Sequence, residues 1–145
     1  TTLNASDKVE SKMIWGIQWD LACDFISKKG ERKCITDSRT WGNHNNSIGN
    51  AAVMDGTTRK YGSKQVTGYS EYWKANNIYD LAGNCAEWTR EAAGIRTRGS
   101  NGGGYGSDGS SFPASYRGNQ LADYSSAVAR FSSHFNNKVA LNPVS

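Results

Sequence analysis

Asn76-Asn77-Ile78-Tyr79-Asp80-Leu81-Ala82-Gly83-Asn84-Cys85-Ala86-Glu87-Trp88-Thr89-Arg90-Glu91 is the stretch from which the fold is read. Asp80-Leu81-Ala82-Gly83-Asn84 is not a regular strand. Gly and Asn accept positive φ, and an Asp side chain bonds backbone amides two or three residues on, so a tight loop is predicted. Cys85 to Thr89 then alternate small or apolar with polar side chains, the pattern of a short half-buried strand. The loop therefore delivers the chain into a sheet.

The remainder of the 145 residues fits one domain around a single core. Thr1 in place of Met leads us to expect an excised domain or a processed product, and residues 1–12 read as a linker remnant or a first strand. Neither a signal-peptide core nor a membrane-length apolar run is visible, so a soluble chain without membrane insertion is expected. The net charge is +4, with Lys8, Lys12, Lys28, Lys29, Lys33, Lys60, Lys64 and Lys74 scattered rather than clustered with aromatics. That distribution argues against a nucleic-acid partner. Cys23, Cys34 and Cys85 form no C-x-x-C pair and read as free thiols. His44 and His134, both in polar surroundings, read as solvated.

Ile17, Leu21, Ala22, Phe25 and Ile26 fall on one helical face between Ile17 and Lys29, with Lys28 and Lys29 at the dipole-negative end and Gly30 as the stop. This is the firmest helix, and Trp19 and Cys23 lie off its stripe. Residues 31–69 are rich in Asn, Thr, Ser and Gly and read as long loops anchored by Trp41, Ile48, Val53, Met54 and Val66. Tyr69, Tyr72 and Trp73 are expected to serve as further pins.

The motif Asn-Ile-Tyr-Asp-Leu-Ala-Gly-Asn-x-x-Glu-Trp-Thr (77–89), with Arg98-Gly99 and Pro113-Ala114-Ser115-Tyr116-Arg117 after it, carries a resemblance. It resembles the C-type-lectin-like domain shared by formylglycine-generating, sulfatase-modifying enzymes and by the variable proteins of diversity-generating retroelements. Trp15-Gly16-Ile17-Gln18-Trp19-Asp20 and Trp41-Gly42-Asn43 extend the likeness more loosely into the first half. The resemblance implies an α+β chain of C-type-lectin-like fold, with a small twisted antiparallel sheet, one or two helices and high loop content. Residues 13–145 would form a ligand-binding domain with a hypervariable segment at about 92–137.

Composition changes after Glu91. Lys, Glu, Trp and Met supply 20 of the first 91 residues and none of residues 92–137. A Gly/Ser-rich surface loop accounts for the loss of Trp and Met but not for a segment that keeps Asp and Arg while dropping Glu and Lys. The retroelement resemblance implies a reason: adenine-directed mutagenesis of AAC-type codons leaves a pyrimidine third base, and such codons never encode Lys, Glu, Gln, Trp or Met. Gln120 is the exception. The residue types left, Tyr with Ser, Gly and Asn, suit recognition surfaces. Arg98-Gly99, Pro113-Ala114-Ser115, Arg117 and Ala127–Phe131 read as framework. Asn101, Gly103, Tyr105, Ser107, Asp108, Phe112, Tyr116, Gly118, Asn119, Asp123, Tyr124 and Ser126 are the expected variable contacts, with Tyr105, Phe112, Tyr116 and Tyr124 as aromatic anchors.

The implied function is non-enzymatic recognition of a macromolecular ligand, a protein or glycan on a cell surface, by a phage or prophage receptor-binding protein or a cell-surface protein. Two alternatives stand beside it. A formylglycine-generating oxidase needs two cysteines late in the domain, and the last one here is Cys85. A calcium-dependent carbohydrate-binding lectin uses Pro between amide and carboxylate side chains, and the chain's two prolines, Pro113 and Pro143, stand in no such setting. No cofactor is expected apart from calcium at the central loop, through Asp80, Glu87 and the carbonyls of Gly83 and Cys85. The preferred reading of that loop is structural, with Asp80 capping the turn and Glu87 paired with Arg98 or Arg117.

Overall fold

The computed structural model describes residues 13–29, 31–92, 97–121 and 129–131. Its elements follow one another as helix α1 (Gly16–Lys28), strands β1 (Met54–Asp55), β2 (Thr58–Arg59), β3 (Lys74–Ala75), β4 (Ile78–Tyr79), β5 (Ala86–Ala92), β6 (Thr97–Asn101), β7 (Arg117–Leu121) and β8 (Ala129–Phe131), with single 3₁₀ turns at Gly49–Ala51 and Glu71–Trp73. The described residues are α+β, with one α-helix, two antiparallel hairpins and a four-stranded sheet of order β7-β6-β5-β8. That sheet is antiparallel except at one edge, where β8 runs parallel to β5 and pairs Ala86 with Ala129 and Trp88 with Phe131. The small antiparallel sheet expected from the sequence is thus present, with one parallel pairing at its edge.

Helix α1 starts where the Trp15 amide donates to the Gln18 side chain at 2.8 Å, a one-sided cap that satisfies an otherwise orphaned donor. It ends with the Lys29 amide on the Phe25 carbonyl. Of the expected apolar stripe only Ile26 is fully buried, and the core face is completed by residues off that stripe. Trp19, Cys23 and Ile26 face the core, whereas Ile17 and Leu21 are each 63% exposed and Phe25 is 50% exposed. Arg117 fastens the helix to the sheet, donating to Glu91 at 2.7 Å, to the Gly16 carbonyl at 3.2 Å and to Asp20.

Three tryptophans hold the loops. Trp19, Trp41 and Trp73 are buried, and their indole N–H groups donate to the carbonyls of Ala114, Cys34 and Ala51 at 2.8 to 2.9 Å. Each joins a large apolar burial, of up to about 4–6 kcal/mol as an upper estimate, to a hydrogen bond that fixes one irregular segment. Of the other expected pins, Tyr69 stacks on Trp73 but stays exposed, as do Tyr72, Ile48, Met54 and Val66.

The central loop has the conformation its residues predict. Asp80, Gly83 and Asn84 have φ of 56°, 72° and 58°. Gly83 lies against the Asn43 carbonyl with no room for a Cβ. Around it Asn43 and Asn84 form a buried amide knot. Asn43 accepts from the Gly62 amide at 2.8 Å and donates to the Ser63 carbonyl at 2.9 Å and to Asn84 at 3.2 Å, while Asn84 accepts from the Gln65 amide and donates to its carbonyl. The knot carries loop 60–65, which has no regular structure.

Candidate recognition surface

Between β6 and β7 the chain makes a loop, residues 102–116, fixed at both ends and along its length. Gly102 (φ 83°) turns the backbone against the Trp19 ring and the Leu81 carbonyl, closer than any larger residue allows. The Tyr105 amide donates to the Asn84 carbonyl at 2.8 Å, so the loop rests on the central motif. At the far end Pro113 and Ala114 are buried, and the Ser115 amide donates to Ile35. A second seam joins the loop to residues 38–46: Asn45 donates to the carbonyls of Ser107 and Gly106, and Asn46 donates to Asp108 at 2.6 Å and accepts from the Gly109 amide at 2.9 Å.

What the loop leaves in solvent is aromatic and hydroxylic. Phe112 is 38% exposed and meets the Tyr116 ring edge-on at 4.7 Å between centroids. Tyr105, Ser107 and Tyr116 are half-buried, and Ser110, Ser111 and Asn119 are exposed. Ser110 and Ser111 were not among the expected contacts. Their signal is their place in the Asp108-Gly109-Ser110-Ser111 turn, where the Asp108 carboxylate caps both serine amides, at 2.7 and 3.1 Å.

Several expected contacts are corrected. Asn101 ends β6 and is fully buried, and its side-chain amide finds no hydrogen-bond partner among the described residues. Gly103 packs under the Phe112 carbonyl, and Gly118 lies beneath the Tyr116 ring and the Ser100 hydroxyl, so neither offers a free surface. Asp108 reaches the surface, but its carboxylate is committed to the loop. The Ser110 hydroxyl first, then the Ser110 amide, holds its carboxyl down to about 2. Asp123, Tyr124 and Ser126 lie outside the described residues, as do His134 and the Gly30 helix stop.

His44 is corrected as well. It is completely buried, with Nε2 2.8 Å from the Ser38 hydroxyl, which donates in turn toward the Gly109 carbonyl at 3.3 Å. A serine beside an imidazole is the geometry of an activated nucleophile, but both side chains are inaccessible and the hydroxyl serves a backbone carbonyl. None of the three cysteines is in a disulfide. Burial pushes Cys23 up to about 12, which suppresses its thiolate, Cys85 is buried, and Cys34 is exposed with its pKa lowered by the Thr36 hydroxyl.

At the central loop the Asp80 carboxylate turns back to loop 65–68 and accepts from the Gly68 amide at 3.2 Å. Arg117, one of the two arginines expected opposite Glu87, pairs instead with Glu91 and Asp20. No group of three or more His, Cys, Asp or Glu side chains gathers to hold a metal among the described residues. The Gly68 bond gives Asp80 a structural role, a tie between two loops.

The chain matches no family model, no curated protein and no solved structure. Among the described residues, no helix is long and apolar enough to cross a membrane.

Proposed function

We propose that this chain is a non-enzymatic recognition domain of C-type-lectin-like fold, whose loop 102–116 and following strand present a retroelement-diversified surface to a protein or glycan on a cell. The observation that carries the proposal is a division of labour within one loop. Backbone and small residues are buried and tied at Asn84, Asn45, Asn46 and Trp19, while Tyr105, Ser107, Ser110, Ser111, Phe112 and Tyr116 keep solvent access. Such a scaffold tolerates exchange of the outward side chains without loss of fold, the arrangement that serves recognition loops elsewhere. The absence of Lys, Glu, Trp and Met from residues 92–137 supports diversification as the source of that exchange.

Mechanistically, the Phe112–Tyr116 pair is the anchor. Both rings are restrained by the loop before any ligand arrives, so little rotamer entropy is lost on contact. Serine hydroxyls around them supply hydrogen bonds of adjustable direction.

Two experiments test the reading. Sequencing the encoding locus should find a near-copy of the segment differing almost only at adenines, beside a reverse transcriptase; a locus with neither ends the diversification reading. Screening the chain against arrayed cell-surface proteins and glycans should yield a ligand whose binding weakens by about 2 kcal/mol, roughly 30-fold, on Phe112→Ala or Tyr116→Ala. A bound ligand indifferent to both substitutions places recognition elsewhere on the chain.

A further inference from the structure

The seam between residues 38–46 and the recognition loop is closed over one imidazole. His44 is fully buried, and a Cβ at Gly109 would lie 2.7 Å from its Cδ2, one at Gly42 2.7 Å from its Nε2, so the ring is enclosed by backbone on both sides. Nε2 meets Ser38, whose amide and hydroxyl both point to the Gly109 carbonyl. Nδ1 has no partner at hydrogen-bonding geometry. A neutral ring is thus accommodated at a fully buried site, where a cation is cut off from solvent.

We propose that His44 is an acid-operated latch: a proton taken up by its ring opens the seam, frees residues 105–112, and so releases whatever the surface holds. The ligand-release part rests on the recognition reading; the opening of the seam does not. Burial pushes the His44 pKa from 6.5 down to about 4, against the opposing pull of the Gly104 backbone, of the Asp108 and Asp37 carboxylates and of the Ser107 backbone.

The other charged groups at the seam keep their charge through that range. Asp108 is held down to about 2 by the Ser110 hydroxyl, Asp37 is lowered by its bonds to Arg39, and Arg39 remains a cation. Because the folded pKa of His44 is depressed, the closed seam is fully favoured above pH 6.5 and loses that advantage as pH falls toward about 4. The interval between those two values corresponds to at most about a 300-fold shift in the opening equilibrium.

Hydrogen exchange of the full chain from pH 7 to pH 4, corrected for intrinsic rates, tests the latch without any ligand. Protection of the Asn45 and Gly109 amides should fall by up to about 100-fold across this range, while amides within the β5–β6 pair keep theirs. His44→Asn should flatten the seam's pH dependence. Should that variant not fold, a His134→Gln chain leaves His44 the only imidazole, and its ring resonances should titrate near pH 4 together with the seam amides. A seam whose protection is independent of pH, or a ring that titrates near 6.5, overturns the proposal. A pH-dependent seam in a chain that binds no cell-surface ligand would leave the latch standing and remove the recognition reading instead.

Discussion

Replacing Asn43 by Asp changes one atom and inverts the chemistry of the amide knot. Nδ2 of Asn43 donates to the Ser63 carbonyl at 2.9 Å and to the Asn84 side chain at 3.2 Å, in a site with no solvent access. Asn43→Asp keeps the volume, so no cavity term enters. It removes both donations and, when ionised, points an acceptor at two acceptors. Two lost hydrogen bonds at about 1 kcal/mol each, with the Ser63 carbonyl left unsatisfied while Asn84 keeps the Gln65 amide, put the cost at about 3–5 kcal/mol. Urea denaturation at pH 7 measures it directly, and hydrogen exchange should place the first loss at loop 60–65, which the knot carries. The burial that disfavours the carboxylate raises its folded pKa, so the deficit relative to the parent chain should narrow as pH falls and the carboxyl regains a proton to donate. A deficit under about 1 kcal/mol at pH 7, or one that widens on acidification, would refute the assignment of the knot as the element that orders this loop.

The two faces of α1 should respond oppositely: Ile26→Ala should cost about 2–5 kcal/mol in a denaturation experiment, whereas Leu21→Lys should change stability by no more than about 0.5 kcal/mol. The reverse ranking would mean that the apolar stripe faces the core after all. Gly83→Ala combines a left-handed φ of 72° with a methyl driven at the Asn43 carbonyl, and a loss of at least about 3 kcal/mol should appear in its thermal melt. An unchanged melt would show that this turn can shift. If Asp80 is a loop tie rather than an ion ligand, melting points with chelator and across a wide range of calcium should coincide; a rise with calcium would restore the ion site.

The turn chemistry of Asp80, Gly83 and Asn84 was legible because positive φ is a local property, carried by the residues themselves. The existence of α1 was legible for a similar reason. Its orientation was only partly so: the helix offers one face with Ile17, Leu21 and Phe25 and another with Trp19 and Cys23, and Ile26, predicted with the first, is buried beside the second. The choice between them comes from a distant partner, the Ala114 carbonyl that receives the Trp19 indole, which periodicity cannot see. His44 and Asn43 were misjudged or passed over because an asparagine-rich run looks solvated. Here those polar groups largely satisfy one another and the backbone, which lets them be buried. Asn101, Gly103 and Gly118 failed as surface positions because composition says what a loop offers a ligand, not which residues the loop needs for itself. The parallel placement of β8 had no local signal at all.

That placement has a consequence for how the chain is made. Residues 86–88 find their edge partner only at 129–131, so the ladder of the central sheet cannot be completed until Phe131 has emerged from the ribosome. Until then a growing chain holds residues 86–88 without that partner, and the pairing that finally supplies it joins segments remote in sequence, the kind of closure that slows folding. Synthesis interrupted before Ala129 would leave that segment as a template for other chains.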